Sequence, residues 1–473
     1  MKSDLSIIEN AVRQKMSNRG IEPGRIDCFV SDVRRVHQGE SALIHENSIE
    51  PVGQLPSFCE SDSSKNPSAD LLKKLVVIKL NGGLGTGMGL DRAKSLITVK
   101  SGLCFLDLIT RQIQHLRQSM GIQQPLFQLM NSFSTQSDSL NHLSPVANDL
   151  GNGDSIDFLQ GLVPKLSSDT LMPVEWKNQP ALEWAPPGHG DIYLSMQSSG
   201  LLDRLLSQGI EYAFVSNADN LGASVSLELL EYFAQSDDSF MMEVCKRTAS
   251  DRKGGHLARR ISDQRLILRE SAQCRESEME HFQDISRHRY FNTNNLWFRL
   301  DHVKAFWEGK ATGLPLPLIQ NVKRVDPKAS TSPEVIQIES AMGAAIECFD
   351  ASCAVEVSRK RFSPVKSTGD LLALRSDAYV MTPGHQLELH AERNGVPPVI
   401  SLDAKYFRNL DDFESRFGQE VPSLIKCDLL KVKGAIHFKP GVVLQGKVSF
   451  INSSGQEKIV QPGVYKDEKI HWP

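Results

Sequence analysis

The chain has 473 residues, with 53 Lys and Arg against 57 Asp and Glu, a formal net charge of −4 and 23% charged residues. That composition excludes fibrous, collagen-like and wholly disordered classes, and at roughly 150 residues per domain the length sets about three units. The basic residues form no long run, so nucleic acid would not find the positive stripe its phosphates need.

The opening MKSDLSIIENAVRQKM lacks the apolar core of a signal peptide, and no uninterrupted apolar stretch is long enough to cross a bilayer. A cytoplasmic protein with no membrane partner is expected. Eight cysteines without a CxxC pair fit free thiols in a reducing compartment better than a zinc site. Leu5, Ile8, Val12 and Met16 recur at helical steps and predict a short docking helix. Residues 57–68, SFCESDSSKNPS, are Ser-rich and aperiodic, which predicts a linker and a boundary near residue 70.

Beyond that boundary, apolar runs at 75–80, 125–130, 212–215 and 240–245 alternate with amphipathic stretches. The pattern predicts an α/β domain whose strands are buried on both faces of a mainly parallel sheet. Ligands of such sheets collect beyond the carboxyl ends of the strands, and the unusual polar clusters of this sequence follow those runs directly. After about residue 380 short apolar beads punctuated by Gly434, Gly441 and Gly446 replace helical periodicity, predicting a small all-β or solenoid-like tail.

KLNGGLGTGMGLDRAKSL at 79–96 places Gly82, Gly83, Gly85, Gly87 and Gly89 directly after a predicted strand. Backbone without side chains can approach a phosphate and aim several N–H groups at it, and a following helix would add its positive end. GxGxxG fails at Met88 and Leu90, and no GK[ST] closes a Walker A loop. Lys94 could reach back to the phosphate. In EWAPPGHGDIYLSM at 183–196, Gly188 and Gly190 would leave His189 open on both sides, and Asp191 reads as the N-cap of a helix starting at Ile192. VSNADNLGA at 215–223 ends a strand in Asn217, Asp219 and Asn220, where a carboxylate could hold Mg²⁺ or Asx residues could simply end the strand. Asn292, Asn294 and Asn295 suit either a hydroxyl-rich ligand or a turn, and Lys366 follows a Pro in a basic stretch that otherwise reads as a solvated face.

KLNGGLGTGMG, AKSL, PPGHGDIY, SNADNLGA, FNTNNLW and RFSPVKSTGDLL together resemble the ordered motif series of the eukaryotic-type UDP-glucose pyrophosphorylases. The resemblance spans roughly residues 70–380. It implies an N-terminal helical segment and linker (1–70), a central Rossmann-like nucleotide-diphospho-sugar transferase domain with a mainly parallel mixed sheet (71–380) and a C-terminal left-handed β-helix (381–473). It implies reversible, Mg²⁺-assisted formation of UDP-glucose and pyrophosphate from UTP and glucose 1-phosphate. Carried over by position, Leu80, Asn81, Gly82, Gly83, Gln160 and Gly188 would hold UTP. His189 and Asn217 would meet the sugar phosphate, and Asp219 the metal and nucleotide. Lys94 and Lys366 would act at the reacting phosphates, while Gly254, Glu270 and, among the asparagines, Asn295 resemble sugar contacts. Many relatives have Pro where this chain has Ala93, which leaves the lysine in place on a less rigid loop. Relatives occur as monomers and as larger assemblies built through the C-terminal region, so a homo-oligomer stays open. Three other activities share parts of this pattern: a broader or N-acetylhexosamine-specific UDP-sugar pyrophosphorylase, a metal-dependent glycosyltransferase, and a silent nucleotide-sugar-binding subunit.

Overall fold

The computed structural model describes residues 4–58, 69–248, 251–308, 313–329, 331–418 and 420–473. Most of the expected linker, 59–68, lies outside the described residues. Helices α1 (Leu5–Asn18) and α2 (Pro23–His37) form an N-terminal pair. Ile8, Val12 and Met16 point inward from α1 against Phe29, Val30 and Val33 of α2 and against Val163, Leu318 and Ile338 of the main body, as the periodicity predicts. The segment is not purely helical, however. Ile49–Pro51 pairs antiparallel with His256–Arg260, and Ser57–Phe58 forms the outermost strand of the main sheet.

That sheet is built on β1 (Leu75–Asn81), β2 (Leu126–Asn131), β3 (Asp157–Leu159), β4 (Tyr212–Asn217), β5 (Phe240–Lys246), β6 (Tyr290–Arg299) and β7 (Ser352–Val357). From Ser57–Phe58 inward the order is β7, β5, β6, β4, β1, β2, β3. Every neighbouring pair is parallel except the two made by β6, which runs against both β5 and β4. The continuous apolar runs are explained by what lies on either side. Leu75 and Val77 of β1, with Tyr212 and Phe214 of β4, enter one core. Val76 and Ile78, with Ala213 and Val215, enter a second core on the opposite face. A strand buried on both faces needs no polar alternation.

Helices α3 (Phe105–Met120) and α4 (Gln136–Leu143) flank β2 in sequence, and α5 (Ile192–Ser198) follows the His189 loop. Two local expectations change. The glycine loop is not followed directly by a helix: two short 3-10 turns, Thr86–Met88 and Lys94–Leu96, and the pair of strands Thr98–Lys100 and Leu103–Cys104 intervene before α3. Whatever anion affinity the loop has therefore comes from its own N–H groups and not from a helix end. Asp191 does precede α5, but its side chain makes no cap bond. It instead receives Arg25 of α2 at 2.7 Å, the Gly161 N–H at 2.6 Å and the Ser195 hydroxyl at 2.6 Å, so it fastens the N-terminal helices to the loop.

The tail consists of β8 (Val399–Leu402), β9 (Ser423–Lys433), β10 (Val442–Asn452), β11 (Gly463–Lys466) and β12 (Lys469–Trp472). They pair parallel in chain order, β8 on β9, β9 on β10, and β10 on both β11 and β12. The tail is not all-β as expected, since two short helices, Ala404–Phe407 and Leu410–Phe417, stand between β8 and β9. From β9 onward the parallel strands follow one another without a helix, which is where helical periodicity disappears. The first core runs without a break into this region, through Phe407, Phe413, Leu430, Phe438 and Phe450.

Candidate active site

At the carboxyl ends of β1 and β4 lies a cleft of about 340 Å³. Leu80, Asn81, Gly82 and Gly83 line it beside Lys94 and Gln160, and Gly188, His189, Asn217 and Asp219 close the other side. Ten of the fourteen residues singled out from the sequence thus meet in one place, because β1 and β4 are hydrogen-bonded neighbours whose ends stop together, Leu80 opposite Asn217.

The glycine loop is held from beneath. Asn81 is buried and its amide Nδ2 donates to Asn131 and to Ser139 of α4, both at 2.7 Å, which anchors the start of the loop. A Cβ on Gly82 would stand 2.8 Å from Oε1 of Gln160, which itself donates through Nε2 to the Gly188 carbonyl at 2.8 Å. Gln160 therefore bridges the two glycine-containing walls. Gly188 has φ +82, and a side chain there would strike the Ser340 backbone. Gly190 is likewise packed against Ser340. The two glycines thus admit a neighbouring strand end; they do not leave His189 open, as the sequence suggested.

His189 is part-buried, and its Nδ1 accepts the Met342 N–H at 3.0 Å. Since that nitrogen must be unprotonated, the neutral ring carries its proton on Nε2. Burial pushes its pKa down to about 4, so the ring is neutral at pH 7. On the opposite wall Lys94 Nζ lies 2.6 Å from Oδ2 of Asp219, with the side chains only 20% and 22% exposed. A cation and a strand-end carboxylate are held together where the glycine loop opens.

The other four residues lie outside the cleft. Val365 N–H donates to the Asp219 carbonyl at 3.2 Å, which brings Lys366 alongside, and its ammonium rests 5.7 Å from the Phe291 ring and 5.8 Å from the Phe362 ring. Gly254 packs against the same Phe291, and Glu270 presses on Gly255. Burial raises the Glu270 pKa while Lys366 draws it back. Gly254, Glu270 and Lys366 thus form a second group around Phe291.

Asn295 differs from all of these: it is fully buried, its amide donates to Glu243 at 3.0 Å, and its carbonyl oxygen accepts from Asn220 at 3.3 Å. No polar atom of its side chain is left for a ligand. Asn292 and Asn294, two residues apart, are hydrogen-bonded to each other, and Asn292 Nδ2 lies close to Gly343 beside Met342.

Beneath the floor is a buried polar network that the sequence reading missed. Arg361 grips both oxygens of Glu243 at 2.7 Å and donates to the Ser224 carbonyl, and its own carbonyl receives Asn220 and Asn295. Lys79 donates to Ser216 and to the Ala223 carbonyl, both at 2.6 Å, and burial together with Arg361 pushes its pKa down to about 7. The available signal was a charged residue inside two of the four apolar strand runs, Lys79 in LVVIKL and Glu243 in FMMEVC. Among the described residues no helix is long and apolar enough to cross a membrane.

A family model described as UTP--glucose-1-phosphate uridylyltransferase matches residues 26–445. A curated UTP--glucose-1-phosphate uridylyltransferase from Musa acuminata is 39% identical over 451 residues, 93% of each chain. A crystal structure of a mutant UDP-glucose pyrophosphorylase from Leishmania major, in complex with UDP-glucose, superposes with a TM-score of 0.91 at 41% identity over 100% of both chains. A crystal structure of UDP-glucose phosphorylase from Trypanosoma brucei superposes with a TM-score of 0.90 at 44% identity, over 98% of this chain and 100% of the other.

Proposed function

Because the chain belongs to the UTP--glucose-1-phosphate uridylyltransferase family, we propose that its cleft transfers a uridylyl group by direct displacement. The enzyme forms UDP-glucose and pyrophosphate from UTP and glucose 1-phosphate. A phosphate oxygen of the sugar phosphate attacks the α-phosphorus of UTP. The new P–O bond forms as the bond to the β-phosphate bridging oxygen breaks, and pyrophosphate leaves opposite with that electron pair. The reverse reaction retraces these steps. The attacking oxygen is already anionic at neutral pH, so no general base is needed; the barrier lies in positioning and in bringing two anions together.

The residues fit that task. N–H groups of Leu80 to Gly83 would hold the nucleotide, with Gln160 and Gly188 at its uracil. His189, as a neutral Nε2–H donor, and Asn217 would orient the sugar phosphate. Lys94 and Lys366 would offset charge on the reacting phosphates from two sides. Gly254 and Glu270 would face the hexose, and Asn292 or Asn294 takes the place expected of the enclosed Asn295.

Asp219 is suited to Mg²⁺: its carboxylate is a hard oxygen donor, and it already attracts a cation, the Lys94 ammonium, at 2.6 Å. Bound there, Mg²⁺ would neutralise phosphate charge. In this reading residues 1–70 brace the cleft, 71–380 form the catalytic domain, and 381–473 coil into a left-handed β-helix, where any homo-oligomer would be built. A cytoplasmic location accords with its substrates.

The observation that carries the proposal is the convergence of the glycine loop, His189 and the Lys94–Asp219 pair on one cleft. The test supplies UTP and Mg²⁺ with glucose 1-phosphate, galactose 1-phosphate or N-acetylglucosamine 1-phosphate and follows pyrophosphate. Glucose 1-phosphate should turn over fastest. Preference for the N-acetylated sugar, or tight UTP binding without turnover, would overturn it.

A further inference from the structure

Away from the cleft, three side chains of different chemistry converge at the start of α3. Cys104 precedes the helix, Asp107 lies in its first turn, and His142 reaches across from the last turn of α4. His142 Nε2 is 2.8 Å from Oδ1 of Asp107 and 3.3 Å from Sγ of Cys104, and the three atoms lie within 4.8 Å of one another. Among the described residues no other group of three or more such side chains is gathered this closely.

Helix capping explains part of the cluster. Oδ2 of Asp107 accepts the Cys104 N–H at 2.8 Å, as a third-position carboxylate does in a capping box. Capping engages the thiol too: Cys104 Sγ accepts from the Asp107 backbone, and the thiol and the Asp107 carboxylate share a hydrogen bond. Beyond those bonds, a thiol, a carboxylate oxygen and an imidazole nitrogen converge on one small space, a mixed donor set of the kind a cation takes.

We propose that Cys104, Asp107 and His142 form a binding site for a borderline divalent cation of the Zn²⁺ type, separate from the catalytic centre. Thiolate, imidazole and carboxylate are the donors such ions take, with bonds of about 2.3, 2.0 and 2.0 Å, and three protein ligands leave a fourth tetrahedral position for water. The sulfur-to-nitrogen separation already suits two corners of a small tetrahedron; the nitrogen and oxygen must part slightly. His142 is exposed and Cys104 is buried, so the ion would enter from solvent over the histidine. Hard Mg²⁺ has no preference for a thiolate, so the two sites would select different metals. Occupancy displaces the thiol proton: one S–H bond breaks, one metal–sulfur bond forms, and one proton passes to solvent.

The site ties α3 to α4, and α4 carries the Ser139 that supports Asn81 beneath the glycine loop.

The test titrates the full-length chelator-treated protein with Co²⁺ and with Zn²⁺. One equivalent of Co²⁺ should produce a thiolate-to-metal charge-transfer band in the near ultraviolet, which Zn²⁺ abolishes on displacement. Cys104→Ser should eliminate the band. His142→Ala, at an exposed position that should leave the fold intact, should weaken binding by at least ~10-fold, while Asp219→Asn should leave band and affinity unchanged. The absence of a thiolate band in the wild type, or a band that survives Cys104→Ser, would overturn the proposal.

Discussion

Lys94 Nζ and Asp219 Oδ2 are 2.6 Å apart in the cleft, although 125 residues separate them in sequence. The 3-10 turn carrying Lys94 is hydrogen-bonded back to Gly83, and Asp219 follows the end of the adjoining strand, so the pair is set by the sheet and not by local sequence. In the proposed reaction each would also be a partner for something the substrate brings, phosphate for the lysine and a cation for the carboxylate. Lys94→Ala should therefore lower kcat by ~10²- to 10³-fold, as loss of a charge-stabilising donor typically does. Asp219→Asn should raise the Mg²⁺ concentration needed for half-maximal rate. Steady-state assays at varied Mg²⁺ check both.

His189 should stay neutral in the folded enzyme well below the ordinary histidine range, because burial holds its pKa near 4. An NMR titration of its ring protons should show no change from pH 8 to about 5. The sign for stability follows from linkage: the unfolded chain takes up this proton near 6.5, the folded one near 4. The histidine therefore costs nothing above pH 6.5 and progressively favours unfolding as pH falls from there toward 4. His189→Gln should flatten that part of the pH–stability curve.

Gly188→Ala forces a side chain into the left-handed region and onto the Ser340 backbone. A loss of ~1 to 3 kcal/mol is expected, read as a lower denaturation midpoint at unchanged m value. Gly82→Ala should act differently, pushing Gln160 off its bond to Gly188 and raising KM for UTP more than it lowers stability.

The Glu243–Arg361 pair is 0% and 9% exposed and doubly hydrogen-bonded. Removing one partner leaves the other charged and buried, so Arg361→Met should cost ~3 to 5 kcal/mol in urea unfolding. Replacing both together by apolar residues should cost less than the sum of the single changes.

Much of this site was legible in the sequence because its chemistry sits on short segments that directly follow apolar strand runs, as β1 leads into Gly82 and β4 into Asp219. What escaped depended on pairings between distant segments. Asp191 looked like a cap because its partner, Arg25, lies 166 residues away. The glycines around His189 looked like open space because the strand end at Ser340 that fills it is remote in sequence. Asn295 and Asn294 are adjacent in the chain, yet only the first is enclosed by Glu243 and Asn220, and strand alternation alone could not say which of the two would be enclosed. The tail showed its glycine punctuation but not its register, which rests on parallel pairing across segments such as Leu430 with Val448.

The central claim, a single direct displacement at the α-phosphorus, is tested most directly by stereochemistry. One diastereomer of UTP bearing sulfur on the α-phosphate is turned over with glucose 1-phosphate, and the configuration of the UDP-glucose product is read by ³¹P NMR. One in-line attack inverts the phosphorus centre, and inversion is the predicted result. Retention would mean two displacements through a covalent enzyme intermediate and would contradict the account.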